Sequence, residues 1–295
     1  QSDNPLFFGM IGMHGTKSAN VAVKDCDVLF LVGARVGDRA IRTPISLEKS
    51  TKIIHIDIDP AEIGKNVSAD IPLVGDAKLV LNQMLELAKP LEHDKWIEHL
   101  NGLVKKPVYA EAKEGTINPK KFIAELSEAM PNDTTVVADV GQNQIWTAAS
   151  FKIKNGRFLT SGGMGTMGYS IPAAVGAKIA DPSKQVVSIC GDGSFQMSFM
   201  ELATAIQHGV KVKFVVMTNN YLGMVRELQQ NNYHNRLVAV SLDGSPDFIA
   251  VAKAYGIPCM RVTNEEEAKV AIEKLSTSDE SFFVECYVDE LATTL

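Results

Sequence analysis

Three features that often indicate a protein's class are scarce in this sequence: positive charge, closely spaced cysteines and long apolar segments. Its 29 lysines and arginines are outnumbered by 35 aspartates and glutamates, for a net charge of −6, so nucleic acid and anionic membranes are not expected partners. The four cysteines are far apart and form no C-x-x-C pair, so neither a disulfide framework nor a zinc site is indicated. A reducing, cytoplasmic location fits this pattern best.

The longest uncharged run, residues 158–177, is as long as a membrane span but contains five glycines and a proline. We therefore expect a loop followed by the start of a helix. The chain opens at Gln1 without the cationic and apolar regions of an export signal, so none is expected. A start without methionine leads us to expect a chain cut from a longer protein.

With 295 residues, 45% of them hydrophobic and 22% charged, the chain has a globular composition and the length of two domains. Its first 90 residues contain three short apolar runs and one convincing helix, at 28–32, 52–58, 71–74 and 77–88. Three strands and one helix cannot cover both faces of a parallel sheet, so residues 1–90 predict an incomplete, Rossmann-like α/β domain. Residues 91–117 lack a sustained period and predict a partly helical connector.

From residue 118 onward, helices and strands alternate regularly. Helices are predicted at 118–129, 142–150, 171–180, 194–208, 222–231, 246–255 and 264–275. Strands are predicted at 135–138, 158–160, 185–190, 211–217, 259–262 and 281–288. Because parallel neighbours need long crossovers, this order predicts a doubly wound α/β domain over 118–295 with a six-stranded parallel sheet. Ligands of such sheets bind at the carboxyl ends of the strands.

The helix predicted at 194–208 shows the pattern at residue level. Ser194 is a typical N-cap residue and Gly209 a typical stop. One stripe with the spacing i, i+4, i+7 and i+11 is expected to face the sheet: Phe195, Phe199, Leu202 and Ile206.

Residues 163–168 read Gly-Met-Gly-Thr-Met-Gly, a literal G-x-G-x-x-G that follows a strand and opens a helix. Asp192 ends the next strand, as the acidic residue of a dinucleotide-binding fingerprint would. On this interpretation the protein is an NAD-dependent oxidoreductase, and its NADH binding is indifferent to magnesium. The alternative is a glycine-rich turn in which the backbone packs closely.

The residues after this stretch favour a different ligand. Gly191-Asp192-Gly193 ends one strand and Asn219-Asn220 the next, whereas a ribose-binding acid needs neither flanking glycines nor asparagines. Adjacent strands lie about 4.8 Å apart, so Asp192 and Asn219 can reach one octahedral magnesium ion. Magnesium shares phosphate oxygens, so the pattern predicts a diphosphate approached by Gly193 and a helix N-terminus. Alternatively, both side chains only cap turns.

G-D-G followed by N-N is similar to the pattern of the thiamine diphosphate (ThDP) enzymes. More narrowly, nearly the whole chain resembles the acetolactate (acetohydroxyacid) synthase catalytic subunits. The motifs that carry this resemblance, besides Arg39, are G-M-I-G-M-H-G at 9–15, V-G-A-R at 32–35, H-I-D-I-D-P at 55–60, G-D-A at 75–77, G-Q-N-Q at 141–144, the segment 162–174 and L-G-M-V at 222–225.

The resemblance implies ligands for the metal and the cofactor. Asp192 and Asn219 would bind Mg²⁺ through their side chains, and Tyr221 through its carbonyl oxygen. Further contacts with ThDP are implied for Gly141, Gln142, Gly193, Ser194, Leu222 and Gly223.

Three positions are implied to act at the reacting end of the cofactor. Met167 would hold ThDP in its bent shape, Gly165 would offer a backbone acceptor to the aminopyrimidine, and Met224 would lie beside the reacting carbon. By residue type alone, Met167 would be interpreted as core packing, because methionine fills irregular gaps.

The first half is similar to the carboxyl part of the family's middle domain, which holds FAD in a structural role. The implied FAD contacts are Gly12, Met13, His14, Gly33, Ala34, Arg35, Arg39, Asp57, Ile58, Asp76 and Ala77. Glycines allow close approach, the arginines supply charge, and Asp57 suits a ribose hydroxyl. The alternative is that Arg35 and Arg39 are simply solvated and that His14 is an ordinary histidine.

The resemblance also implies an activity, a transferase step of branched-chain amino acid biosynthesis. Pyruvate would lose CO₂, and its two-carbon unit would join a second 2-keto acid. The pyrimidine domain of a second subunit would complete the site in a homodimer or tetramer, with or without a regulatory subunit. That domain supplies a glutamate that nothing before Gln1 provides, and the chain stops at Leu295 before a covering tail. We therefore expect the chain alone to be inactive and to bind ThDP weakly.

Two departures affect the expected substrate. Leu228 stands where many relatives have tryptophan, and Asn143 where they have histidine, so the second keto acid is not assigned. Other activities also stay open: another ThDP-dependent decarboxylase or acetyltransferase, the NAD-dependent oxidoreductase, and a non-catalytic assembly module that contributes half-sites to an oligomer.

Overall fold

The computed structural model describes residues 2–41, 50–105 and 107–294. The chain divides into two compact units. The smaller unit is Pro5–Pro107, and the larger unit combines Gln1–Asn4 with Val108–Leu295.

The smaller unit contains a three-stranded parallel sheet in the order β1-β2-β3. Its elements are α1 (Lys17–Asp25), β1 (Val28–Val32), β2 (Lys52–Asp57), β3 (Ile71–Val74), α2 (Ala77–Leu87) and α3 (Asp94–Asn101). Leu31 and Ile53 belong to a small core on one side of the sheet. On the other side of β1, Val28 and Phe30 are 42% and 47% exposed. This face of the sheet is thus partly exposed, although Ile56 on the same face is buried.

Helix α1 is absent from the sequence-based prediction. Only Ser18 and Ala19 of α1 are buried, and Val23 packs partly exposed against the core, so its apolar stripe is short and gives a weak signal. A usable signal was the cap: the Thr16 hydroxyl oxygen accepts a hydrogen bond from the Ala19 amide at 3.1 Å. The connector predicted at 91–117 is partly helical, because it contains α3.

The larger unit is the predicted doubly wound α/β domain. Its six strands are all parallel, in the order β5-β4-β6-β7-β9-β8. The strands are β4 (Thr135–Ala138), β5 (Arg157–Thr160), β6 (Val186–Gly191), β7 (Lys213–Thr218), β8 (Cys259–Val262) and β9 (Phe282–Tyr287). The helices are α4 (Pro119–Ala129), α5 (Gln142–Ser150), α6 (Ser170–Ala180), α7 (Asp192–Ser198), α8 (Glu201–Gln207), α9 (Gly223–Asn232), α10 (Phe248–Ala254) and α11 (Glu265–Thr277).

The central strands β6 and β7 are buried on both sides because helices cover both faces of this sheet. One face packs against α4, α5 and α11, with Phe122, Trp146 and Leu275 in the core. The opposite face packs against α6, α7, α8 and α10, with Phe195 and Phe248 in the core. The chain therefore leaves the neighbouring strands β4 and β6 toward opposite faces.

The single helix predicted at 194–208 is wrong, because the structure has two helices there, α7 and α8. The amides of Leu202 and Ala203 bond to carbonyls three residues earlier, so a tightened turn separates the two helices. Ser194 lies inside α7 rather than at its cap, and Ile206 is 45% exposed rather than facing the sheet. Phe195 and Leu202 are buried as predicted.

Within the described ranges, no helix is long and apolar enough to cross a membrane. The uncharged run at 158–177 divides between β5, a loop and α6, as predicted. All four cysteines are free thiols, and burial raises the pKa of the Cys190 and Cys286 thiols well above the ordinary value.

Candidate functional site

A cavity in the larger unit lies at the carboxyl ends of β4, β6 and β7. It is formed by the residues that follow these strands, together with the glycine-rich loop and the start of α9. Of the positions predicted for ThDP and its metal, those that line the cavity are Gly141, Gln142, Met167, Asp192, Gly193, Ser194, Asn219, Tyr221, Leu222, Gly223 and Met224. The structure thus brings together, around one cavity, residues that were predicted from four separate segments of the chain.

Gly165 is the predicted position that does not line this cavity. It is exposed in the loop between β5 and α6 and has a positive φ of 66°. Of the two positions that depart from the family pattern, Asn143 lines the cavity and is buried, whereas Leu228 is 45% exposed and lies outside it.

Asp192 is a buried carboxylate at the point where β6 passes into α7, and it is 2% exposed. Its Oδ1 accepts a hydrogen bond from the Gly193 amide at 2.9 Å, and its Oδ2 accepts from the amides of Asn219 and Asn220 at 3.1 and 2.6 Å. Burial raises the pKa of Asp192 to about 6, although these hydrogen bonds act in the opposite direction. No lysine or arginine of the described residues pairs with it, so a cation bound here would offset the cost of burial.

Asn219 follows the neighbouring strand β7 and is held in one orientation. Its side-chain nitrogen donates to Gln142 Oε1 at 3.2 Å, and its Oδ1 accepts from the Tyr221 amide at 3.2 Å. Asn220 has a φ of 57°, a left-handed conformation that asparagine tolerates, and this turns the chain toward the cavity. Asp192 and Asn219 therefore lie side by side, with oxygens of a type that binds magnesium.

Glycines at 193 and 223 make room for the side chains of the cavity wall. A Cβ at Gly193 would lie 2.9 Å from Leu222 Cδ2 and 3.3 Å from Met167 Cε. A Cβ at Gly223 would lie 2.1 Å from Gln142 Oε1. Any larger residue at these positions would displace Met167, Leu222 or Gln142, and the close approach of a ligand to Gly193 stays a prediction.

Asp139 supports the wall of the cavity without lining it, and it was not predicted from the sequence. It is fully buried at the end of β4 and accepts hydrogen bonds from the amides of Gly168 and Ser170, at 3.0 and 2.7 Å. These bonds fix the backbone just after Met167, so Asp139 sets the position of that part of the wall. An acidic residue directly after a buried strand was the available signal.

The carboxyl-terminal segment 292–294 also contacts the site. The Ala292 carbonyl accepts from Gln142 Nε2 at 2.7 Å and from Arg226 Nη2 at 2.8 Å. The Thr293 carbonyl accepts from the indole nitrogen of Trp146 at 3.0 Å. Nothing in the sequence pattern links this segment to 142–146, because the contact depends on the tertiary fold.

The predicted FAD contacts lie in the smaller unit and fall into two groups. The first group lies at or just after the ends of the three strands, on one edge of the sheet, and consists of Gly33, Asp57, Ile58, Asp76 and Ala77. At this edge the Gly33 amide bonds to the Ile56 carbonyl at 2.8 Å, and the Gly75 amide to the Asp57 carbonyl at 2.9 Å. In the second group, the Met13 amide bonds to the Arg39 carbonyl at 3.0 Å, and the Gly12 amide bonds to Asn20 Oδ1 at 2.7 Å.

The remaining predicted FAD positions are close in sequence to these groups. Ala34 follows Gly33, and His14 follows Met13. Arg35 and Arg39 are exposed, and neither has an ion-pair partner in the part of the chain that the structure describes. The Asp76 carboxylate caps the N-terminus of α2, where it accepts a hydrogen bond from the Leu79 amide at 3.0 Å.

The structure describes no group of three or more histidine, cysteine or acidic side chains that could hold a metal by themselves. At the cavity, one carboxylate and one amide oxygen stand at adjacent strand ends. Such a pair suits an ion that takes most of its ligands from phosphate and water.

Comparison with known families agrees with this geometry. Residues 139–286 match the thiamine pyrophosphate enzyme C-terminal TPP-binding domain, and residues 1–84 match the thiamine pyrophosphate enzyme central domain. The chain belongs to the thiamine pyrophosphate enzymes. This result decides against the dinucleotide interpretation of residues 163–168.

Within that family, the chain is similar to acetolactate synthase large subunits. It is 43% identical to a probable acetolactate synthase large subunit of Methanocaldococcus jannaschii over 97% of the chain and 50% of the relative. For the large subunit of Lactococcus lactis the identity is 39%, over 97% of the chain and 50% of the relative. For the isozyme 2 large subunit of Escherichia coli it is 38%, over 99% and 53%. The chain thus spans about half the length of these relatives.

Proposed function

We propose that the cavity binds the diphosphate of ThDP together with one Mg²⁺ ion. Asp192 and Asn219 hold the ion through side-chain oxygens, and Tyr221 holds it through its carbonyl. The observation that carries this proposal is the buried, unpaired Asp192 carboxylate beside the oriented Asn219 amide. A cation that joins them also binds diphosphate, because magnesium prefers to complete its shell with phosphate oxygens.

The residues around the ion position the rest of the cofactor. Gly141, Gln142, Gly193, Ser194, Leu222 and Gly223 line the same cavity and contact ThDP. Met167, held by the backbone bonds of Asp139, supports its bent shape, and Met224 lies by the reacting carbon. ThDP, when bound, supplies the electron sink for decarboxylation of 2-keto acids. The contact of Gly165 with the aminopyrimidine stays a prediction.

For the whole protein, the proposed reaction is that of an acetolactate synthase. Pyruvate loses CO₂, and its two-carbon unit is transferred to a second 2-keto acid. The similarity to acetolactate synthase large subunits along nearly the whole chain supports this activity. The chain spans about half of those relatives, so we propose that a pyrimidine domain of a second subunit completes the site in a homo-oligomer.

Domain roles follow from the same proposal. Residues 1–90 form the carboxyl half of a middle domain, 91–117 a connector, and 118–295 the domain that binds the ThDP pyrophosphate. FAD is the proposed ligand of the smaller unit. Its support is the convergence of Gly33, Asp57 and Asp76 at one sheet edge, together with the exposed guanidinium groups of Arg35 and Arg39.

Calorimetry of ThDP with the full chain, with and without Mg²⁺, tests the core of the proposal. We expect heat of binding only with Mg²⁺, since the diphosphate needs the ion to approach the Asp192 carboxylate. Equal binding with EDTA would contradict the proposed site. In an assembly that includes the pyrimidine domain, the product from pyruvate alone distinguishes acetolactate synthase from the alternatives, which release acetaldehyde or an acetyl ester.

A pH dependence follows from the raised pKa of Asp192, which is about 6. The cation binds the ionised carboxylate, so protons compete with it near and below this value, and affinity should fall about tenfold in total between pH 7 and pH 5. A carboxylate with an ordinary pKa of about 3.9 would give no change between pH 7 and 5. Calorimetry across that range checks this, after subtraction of the pH dependence of the free Mg²⁺–ThDP complex. A flat corrected profile would contradict the prediction.

A further inference from the structure

We infer that Glu227 is a positioning residue that determines, through Gln142, which atom of Asn219 faces the metal. The inference rests on the proposed Mg²⁺–ThDP site and adds to it a residue outside the cavity. Glu227 does not line the cavity, and it is 7% exposed on α9. Neither its spacing nor its neighbours in sequence connect it with Asn219.

Three side chains form a continuous chain of hydrogen bonds from Glu227 to the metal site. Glu227 Oε2 accepts from Gln142 Nε2 at 2.8 Å. Gln142 Oε1 accepts from Asn219 Nδ2 at 3.2 Å. The remaining polar atom of Asn219, Oδ1, accepts from the Tyr221 amide at 3.2 Å and has a second lone pair available to a cation.

The direction of this chain is determined at its Glu227 end. A carboxylate offers only acceptors, and so does the Ala292 carbonyl, which lies 2.7 Å from the same Gln142 nitrogen. Gln142 must therefore turn its NH₂ group toward these two acceptors and its oxygen toward Asn219. If Gln142 were flipped, its oxygen would face two other acceptors, which is unfavourable for buried groups.

Asn219 in turn donates to Gln142, because the oxygen of Gln142 accepts hydrogen bonds only, and the Tyr221 amide, which donates to Asn219 Oδ1, favours the same orientation. With the opposite orientation, Asn219 would present an NH₂ group to Mg²⁺, which binds oxygen ligands. The buried carboxylate thus acts on the metal site at the distance of two side chains, without touching the ion or ThDP.

Glu227 is itself held in place by donors. Its Oε1 accepts from the amide and the hydroxyl of Thr294, at 3.1 and 3.0 Å. All of these partners are donors, so both carboxylate oxygens are used as acceptors. The carboxyl-terminal segment therefore fixes Glu227, and Glu227 fixes Gln142.

The test compares Glu227→Leu and Glu227→Gln in the full chain, by the Mg²⁺ concentration needed for half-maximal thermal stabilisation at saturating ThDP. Glu227→Leu removes one acceptor of Gln142 Nε2 and releases the carboxyl-terminal segment that carries the other, the Ala292 carbonyl, so it should raise that concentration about 10- to 100-fold. Glu227→Gln still offers an oxygen to Gln142 Nε2 and to the Thr294 amide, which lies 3.2 Å from Oε2 in the parent, while its NH₂ can donate to the Thr294 hydroxyl, so it should stay close to the parent.

Asn219→Asp provides a background in which orientation is irrelevant, because both side-chain tips are oxygens. Gln142 must then donate to Asp at 219, and its oxygen would face Glu227. In this background Glu227→Gln should lower the Mg²⁺ concentration needed, by about tenfold, because the new NH₂ group can donate a hydrogen bond to the oxygen of the flipped Gln142. This contrast, no change in the parent and a gain in the Asn219→Asp background, is measurable even if Glu227→Leu fails to fold, and a purely structural role would not produce it.

The outcomes separate the inference from the proposed site. If the parent shows no Mg²⁺-dependent stabilisation by ThDP, the proposed site fails and the inference fails with it. If the parent responds but Glu227→Leu shows the same Mg²⁺ dependence, the inference alone is overturned. It is also overturned if Glu227→Gln has the same effect with asparagine and with aspartate at position 219.

Discussion

Asp192→Ala is expected to abolish Mg²⁺-dependent ThDP binding, with a loss of at least about 100-fold in affinity. The substitution removes the single carboxylate that the cavity offers to the ion. It also leaves the amides of Asn219 and Asn220 without their acceptor, so the strand end loses its fixed shape. Calorimetry of ThDP at saturating Mg²⁺ and pH 7.5, where Asp192 is ionised in the parent, measures the loss.

Asp279→Ala is the matched control for this prediction. Asp279 is an exposed aspartate of the same unit, and it lies outside the cavity. The control should bind ThDP as the parent does, and thermal unfolding without ligand should show that both variants fold. Retention of parental affinity in Asp192→Ala would mean that the ion, if one binds, is held elsewhere.

Phe195→Ala should cause the largest loss of stability, about 3–5 kcal/mol in the free energy of unfolding. Phe195 is 1% exposed, and its ring lies 4.9 Å from that of Phe248 and 5.3 Å from that of Phe283, measured between centroids. Removal of this ring leaves a cavity between α7, α10 and the sheet. Urea unfolding followed by circular dichroism measures the change.

Phe199→Ala applies the same change four residues later and serves as the comparison. Phe199 is only partly buried at the edge of the same cluster, with a centroid 5.9 Å from that of Phe195. Its loss should be smaller, because the ring lies at the edge of the cluster and its removal leaves a less enclosed cavity. Equal losses for the two variants would show that Phe195 is not the centre of this core.

Most elements of the larger unit could be predicted from the sequence, because its strands are short apolar runs between strong helix signals. The exception at 194–208 has a local cause. Phe195, Phe199 and Leu202 fit one helical stripe, yet the turn at 199–200 tightens, and this changes the direction of Ile206. Periodicity cannot detect such a turn when the residues on both sides have good helix propensity.

In the candidate site, too, some residues could be predicted from local sequence patterns, whereas others depend on contacts between residues far apart in the sequence. Asp192 and Asn219 could be paired from sequence, since parallel strands bring their carboxyl ends to one edge. Glu227 could not, because its contact with Gln142 spans 85 positions. Asp139 is intermediate: its place after β4 was visible, but its bond to Ser170, 31 positions away, was not.

The opposite departures of the chain from β4 and β6 have a consequence for how this protein can change. The crevice between these strands is a product of chain connectivity, and no individual side chain is needed to keep it open. Residues at the edge of the crevice can therefore be substituted one at a time without closing it. Asn143 is an exception among the residues that line it, because its buried side chain donates to the carbonyls of Asp139 and Ile189, at 2.8 and 3.3 Å, and so links the two strands at the crevice.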